Sequence, residues 1–217
     1  MRPLLLTTLL LVPALARAQV ADSSRFVILH GSDTVATEEL NRTDTELHGT
    51  LAFRGAKTTE LYRAVVAPDE TVPLVEVTVR EAAASSAEKA RITRQARIIF
   101  RNDSVAIDDI GNHGLETRVL ATQAGAVPYI NLSFGLLEQA IRRAAVLGKD
   151  SVRVAFFNLS GSASQGGGAT VVGTVSRVGG DSMSLDLGQV QFRFRVDSQG
   201  RLLSGGIPAQ RLSFTRH

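Results

Sequence analysis

The sequence predicts a mainly β protein: a strongly curved antiparallel sheet (half-barrel or open barrel) of about a dozen strands, with one amphipathic helix packed on it. Three observations carry this. Apolar and polar residues alternate with period two along most of the chain, turn residues separate the alternating runs, and a single stretch switches to helical spacing.

The first residues stand apart. Arg2, the apolar run Leu4 to Val12, the helix breaker Pro13 and the small-x-small site Ala16-Arg17-Ala18 follow the order of a secretory signal. Cleavage is expected between Ala18 and Gln19. The apolar run is too short for a membrane span, which takes about 20 residues, and no other segment is long enough. Residues 1–18 are thus expected to be a signal peptide and residues 19–217 a single β-rich domain of a bacterial envelope, periplasmic or extracellular, and not an integral membrane protein. The chain has no cysteine. That rules out a lipid anchor on a cleavage-site thiol, and it fits a domain stabilised by core burial rather than disulfides.

The clearest strand is Gln189 to Val196, with Val190, Phe192, Phe194 and Val196 on one face and Gln189, Gln191, Arg193 and Arg195 on the other. Val75, Val77 and Val79 alternate in the same way, as do Val152, Val154 and Phe156, and Met183, Leu185 and Leu187. Further runs lie near 25–30, 34–40, 45–53, 58–67, 91–100, 104–110, 115–122, 170–178, 201–204 and 210–215. Asp followed by Ser or Thr and an apolar residue recurs at Asp33, Asp103, Asp150 and Asp181, each time with Gly or Asn within the two preceding residues. Asp bonds the backbone two residues on and Gly or Asn tolerates a left-handed turn, so each marks a turn that launches a strand. Gly31-Ser32-Asp33, Gly111-Asn112-His113-Gly114 and Asp197-Ser198-Gln199-Gly200 read as hairpin turns.

The exception to period two is Ser133 to Leu147. Phe134, Leu137, Ile141, Ala144 and Ala145 fall at helical spacing, Ser133 is suited to the N-cap and Gly148 to the C-terminal cap. Glu81 to Ala90 and Ser160 to Gly168 read as loops; the second leads into a strand rather than a helix, so its glycines do not form a phosphate cradle.

Charge is uneven. Residues 19–90 hold 12 acids and 7 bases, residues 91–217 hold 9 acids and 15 bases. The arginines alternate along strands, which predicts a solvated face, and without a dense basic cluster interleaved with aromatics nucleic-acid binding is not expected.

Little in the chain points to catalysis. His30, His48, His113 and His217 form no metal-ligand spacing, although His30 and His48 lie on strands that could meet. No cofactor or metal is expected. Asn131-Leu132-Ser133-Phe134-Gly135 partly matches a nucleophile elbow, but its first glycine is replaced and helix capping accounts for Ser133. Glu38-Glu39, Asp69-Glu70 and Asp108-Asp109 are adjacent acids; neighbours on a strand face opposite ways, and solvated turns and rims are expected for them.

In pattern the chain resembles the half-barrel proteins of the bacterial lipoprotein localisation pathway. It also resembles periplasmic β-rich domains ending in a V-D-x-x-G-R turn, here Val196-Asp197-Ser198-Gln199-Gly200-Arg201. The resemblance implies an apolar cavity for lipid or acyl chains. The resulting expectation is a non-catalytic module that binds a lipid-like or other hydrophobic small molecule, through Phe134, Leu137, Ile141, Phe156, Phe192 and Phe194. The alternatives are a structural protein that docks an envelope partner by a sheet edge or by Arg193 and Arg195, and a serine hydrolase.

Overall fold

The computed structural model describes residues 22–83, 89–111, 114–160 and 168–217. The expected signal peptide, His113 and nearly all of the glycine-rich loop lie outside the described residues. The strands are β1 (Asp22–His30), β2 (Asp33–Arg42), β3 (Glu46–Phe53), β4 (Thr58–Val65), β5 (Leu74–Glu81), β6 (Arg91–Phe100), β7 (Ser104–Gly111), β8 (Gly114–Ala121), β9 (Val127–Tyr129), β10 (Ser151–Asn158), β11 (Thr170–Gly179), β12 (Ser182–Asp186), β13 (Gln191–Val196), β14 (Leu202–Ile207) and β15 (Leu212–Arg216). One helix, α1 (Phe134–Val146), joins β9 to β10. Every alternating run is a strand. The strand that alternation does not reveal is β9, because three residues centred on Pro128 are too short to show a period.

All fifteen strands form one open sheet, ordered β8-β7-β6-β5-β4-β3-β2-β1-β15-β14-β13-β12-β11-β10-β9. Two meanders run outward from a central seam where β1 pairs with β15. Every pair is antiparallel except β9–β10, which is parallel. The β9–β10 pair runs parallel because a helix lies between the two strands, and a helical crossover returns the chain in the same direction.

The sheet curls until its ends approach without pairing. Phe100 on β6 packs edge-on against Phe157 on β10, ring centroids 5.8 Å apart. The hydroxyls of Thr122, just past β8, and Thr170 on β11 lie 2.9 Å apart. Helix α1 fills the concave side. Phe134 stacks on Phe214 of the central seam at 3.9 Å, and Phe26 completes the cluster. Leu136, Leu137, Ala140, Ile141 and Ala144 complete its apolar contacts.

The helix is buried on more than its apolar stripe, because its polar side chains also find partners inside. Glu138 has no solvent exposure, accepts a hydrogen bond from Leu202 N at 2.9 Å and pairs with Arg216 at 2.6 Å. Arg216 also binds Asp22 at 2.8 Å and lies over the Phe26 ring. Gln139, equally buried, accepts from Arg42 and donates to Glu70, which pairs with Arg42 at 2.8 Å. Arg42 and Arg216 therefore depart from the expected solvated arginine face. A buried charge is tolerated because it is paired.

The tightest anchor is Glu38 on β2. It is fully buried, contrary to the solvated rim expected for Glu38-Glu39, while Glu39 on the opposite face is exposed. Glu38 Oε1 accepts from Tyr62 OH at 2.6 Å and Ser133 Oγ at 2.7 Å; Oε2 accepts from the backbone N–H of Phe134 at 2.7 Å and of Gly135 at 3.0 Å. The carboxylate thus serves the orphan donors of the helix N-terminus. Two glycines make room: a Cβ on Gly49 would fall 2.0 Å from the Tyr62 ring, and one on Gly135 would fall 2.4 Å from Tyr62 OH.

Glu38→Ala is expected to cost on the order of 3 kcal/mol in denaturant unfolding, because it strands four buried donors and opens a cavity. Burial raises the Glu38 pKa above its ordinary value near 4.5, against the pull of Tyr62, Ser133 and the two backbone donors. The folded state then holds this proton more tightly than the unfolded chain. The group's stabilising contribution is complete below 4.5 and is lost as pH rises through the folded value. Unfolding measured across that range should lose this step in the Glu38→Gln variant.

Candidate functional site

The six residues expected to line a ligand site are all core. Phe134, Leu137, Ile141, Phe156, Phe192 and Phe194 are each no more than 5% exposed. Phe134 sits in the aromatic cluster of the seam, and Phe156 packs edge-on against Tyr129. Phe192 and Phe194 project from β13 with the alternation read from sequence. Of the six, Ile141 also borders open space.

That space is a cleft of about 510 Å³ between the C-terminal end of α1 and the strand ends of β11, β12 and β13. Ile141, Ala144 and Ala145 form its helical wall; Val175, Met183 and Val196 form its sheet wall. Small residues on the helix leave the gap, since alanines at 144 and 145 cannot reach the facing strands. The rim is charged, with Lys149, Asp150, Arg177, Asp181 and Asp197.

Two of the three rim acids are already engaged. Asp181 pairs with Arg195 at 2.5 Å, which holds its carboxyl below the usual range. Asp197 binds Arg201 Nε at 2.5 Å. It also accepts from Gln199 N and Arg201 N, and together these bonds outweigh the upward push of burial. Lys149, Arg177 and Asp150 form no ion pair among the described residues, so the uncommitted rim charge is two positive against one negative. The geometry suits a ligand with an apolar body and an anionic end.

Lys149 and Arg177 are not singled out by the sequence, and Ala144 and Ala145 enter there only as part of the helical stripe. Lys149 follows the expected C-terminal cap Gly148, and Met183 was read only as one position of an alternating strand. Their convergence depends on the order in which the strands pair. The acidic end of β13, Val196-Asp197, borders the same cleft.

Other chemical groups do not assemble. Ser133 is the N-cap of α1: its Oγ accepts from Leu136 N at 3.3 Å and donates to Glu38. It is 2% exposed, and its side-chain neighbour is a carboxylate rather than a base relayed by histidine. His30 and His48 do not meet. His30 ends β1 opposite Asp33, and His48 on β3 binds Glu46 at 2.9 Å. Asp109 lies on the concave side, held by Arg94 at 2.7 Å, and Asp108 accepts from Thr117 on the convex side. Asp109 is thus a second departure from the expected solvated acids. Nearby Glu60 is raised by burial and drawn back by the Arg94 charge. Asp69 stays near solvent and binds Arg143. Among the described residues no group of three or more His, Asp or Glu could hold a metal ion, and no helix is long and apolar enough to cross a membrane.

No family model matches the chain, and no curated protein does. Among solved structures, the crystal structure of a DUF1089 family protein from Pseudomonas aeruginosa is similar in fold. It has a TM-score of 0.56 at 16% sequence identity, with 79% of this chain and 89% of that chain covered.

A fluorophosphonate serine probe should leave the folded protein unlabelled, because Ser133 Oγ is committed to Glu38 and the helix backbone. Stoichiometric labelling at Ser133, read by peptide mass spectrometry, would show a nucleophile that this geometry does not provide.

Proposed function

We propose that this chain is an exported, non-catalytic binding module for an amphipathic, lipid-like molecule, held in the cleft at the C-terminal end of α1. The observation that carries the reading is the pairing of an apolar floor with a rim on which Lys149 and Arg177 are the uncommitted cations. The apolar part of a ligand would replace water against Ile141, Ala144, Met183 and Val196, and each buried methylene is worth about 0.8 kcal/mol. The anionic end would meet Lys149 and Arg177. At about 510 Å³ the cleft falls in the size range of small-molecule sites, roughly 300–1,000 Å³.

The ligand contact lies in the cleft, which shares only Ile141 with the six core residues. Export follows from the signal expected in residues 1–18, and the lipid-type ligand from the half-barrel resemblance.

The test is binding of a fluorescent fatty acid to the purified protein. Ala145→Trp fills the cleft from an exposed helix position, and Lys149→Glu with Arg177→Glu reverses the rim. Each variant is expected to weaken binding tenfold or more while leaving the unfolding midpoint in place. Unchanged affinity in both would sink the proposal. Ile141→Trp is a poorer probe, because a residue 1% exposed cannot be enlarged without overpacking the core.

A further inference from the structure

The sheet has two edges that differ in length. One is the three-residue β9, and the other is β8, eight residues from Gly114 to Ala121. On its inner side β8 pairs with β7 in unbroken register from Ser104–Ala121 to Gly111–Gly114. Just beyond it, Thr122 N donates to Asp103 O at 2.9 Å. Backbone groups alternate in direction along a strand, so even-numbered residues aim at β7. Leu115, Thr117, Val119 and Ala121 aim their N–H and C=O groups outward.

The side chains of this edge are unlike those of a blunted one. Leu115 is 67% exposed and Val119 69% exposed, both on the convex face, with Ile110 of β7 opposite Leu115 and also exposed. Glu116 and Arg118 lie on the concave face. Arg118 sits 3.6 Å from Glu116 and 3.9 Å from Asp109, both longer than a hydrogen bond. A long apolar edge with free backbone donors is a template for another strand.

We propose that β8 pairs antiparallel with β8 of a second copy of this chain, with Thr117 on the two-fold axis. The segment is self-complementary in that register. Leu115 faces Val119 of the second copy on the convex side, and Glu116 faces Arg118 on the concave side, each contact occurring twice. The outward groups of Leu115, Thr117 and Val119 then form about six backbone hydrogen bonds. Neighbouring registers are disfavoured by charge. Moving the axis to Glu116 sets two glutamates opposite each other, and moving it to Arg118 sets two arginines opposite each other. The interface is small, of the weak and reversible class, and the join turns two open sheets into one continuous sheet.

The measurement is sedimentation of the purified protein over a range of concentrations, with the mass expected to rise toward twice that of one chain. Glu116→Arg, which faces Arg118 with a like charge, and Thr117→Pro, which removes an outward N–H while leaving the β7 ladder whole, should each weaken dimerisation at least tenfold with unchanged circular dichroism. The chain has no cysteine, so Thr117→Cys introduces a unique thiol. It should cross-link to itself with a short bis-maleimide, whereas Glu39→Cys, exposed on β2 in the interior of the sheet, should not. A monomer at every concentration overturns the proposal. So does a dimer that survives both substitutions, or one in which Thr117→Cys fails to cross-link.

Discussion

The carboxylate of Glu38 is fully removed from water and makes four hydrogen bonds, two of them to the first backbone N–H groups of α1. Burying it is tolerable only because those partners are all in place, and they come from β4 and the helix N-terminus together. This fixes where α1 begins. One turn further on, Glu138 and Gln139 tie the helix to the seam through Arg216 and to β2 through Arg42. The helix is thereby held to the sheet by directed bonds along its length, while its apolar side chains fill the curve. Apolar packing alone would allow it to slide or rotate; the polar contacts allow one position.

That position decides what remains open. The first two turns of α1 are sealed, and Phe134, Leu137 and Ile141 become core. Past Ile141 the side chains that face β11–β13 are the alanines 144 and 145, and the last anchor, Arg143 to Asp69, ties the helix to the β4–β5 connection rather than to those strands, so the helix and the β11–β13 strand ends diverge into the cleft. The proposed binding site is therefore a consequence of how the helix is anchored, and it lies where the anchoring stops. The fold is similar to that of the DUF1089 family structure, and at 16% identity that likeness speaks to fold alone.

Openness has a second consequence. A closed barrel removes its edges, but this sheet ends in β8 and β9. The β9 edge is short and adjoins the helix crossover, whereas β8 presents a full row of unpaired backbone groups. Side-chain contacts between the ends, such as Phe100 with Phe157, hold the curl without satisfying that row. Pairing between copies would satisfy it.

The sequence by itself determined the local structure. Alternation placed fourteen of the fifteen strands, and helical spacing with Ser133 and Gly148 at its ends placed α1, because these periods record which side of each element meets the core. It also identified Phe134, Phe192 and Phe194 as inward. It did not reveal that Glu38, Glu138, Arg42 and Arg216 are inward too, since a charge on the buried face reads as a break in the pattern until its partner is known. Those partners are 64 to 97 residues away in most cases: Ser133 lies 95 residues from Glu38, and Arg216 lies 78 from Glu138. Only the tertiary structure brought them together. The parallel β9–β10 pair, the cleft and the free edge were decided in the same way, by the order of strands in the sheet, and local periodicity carries no information about that order.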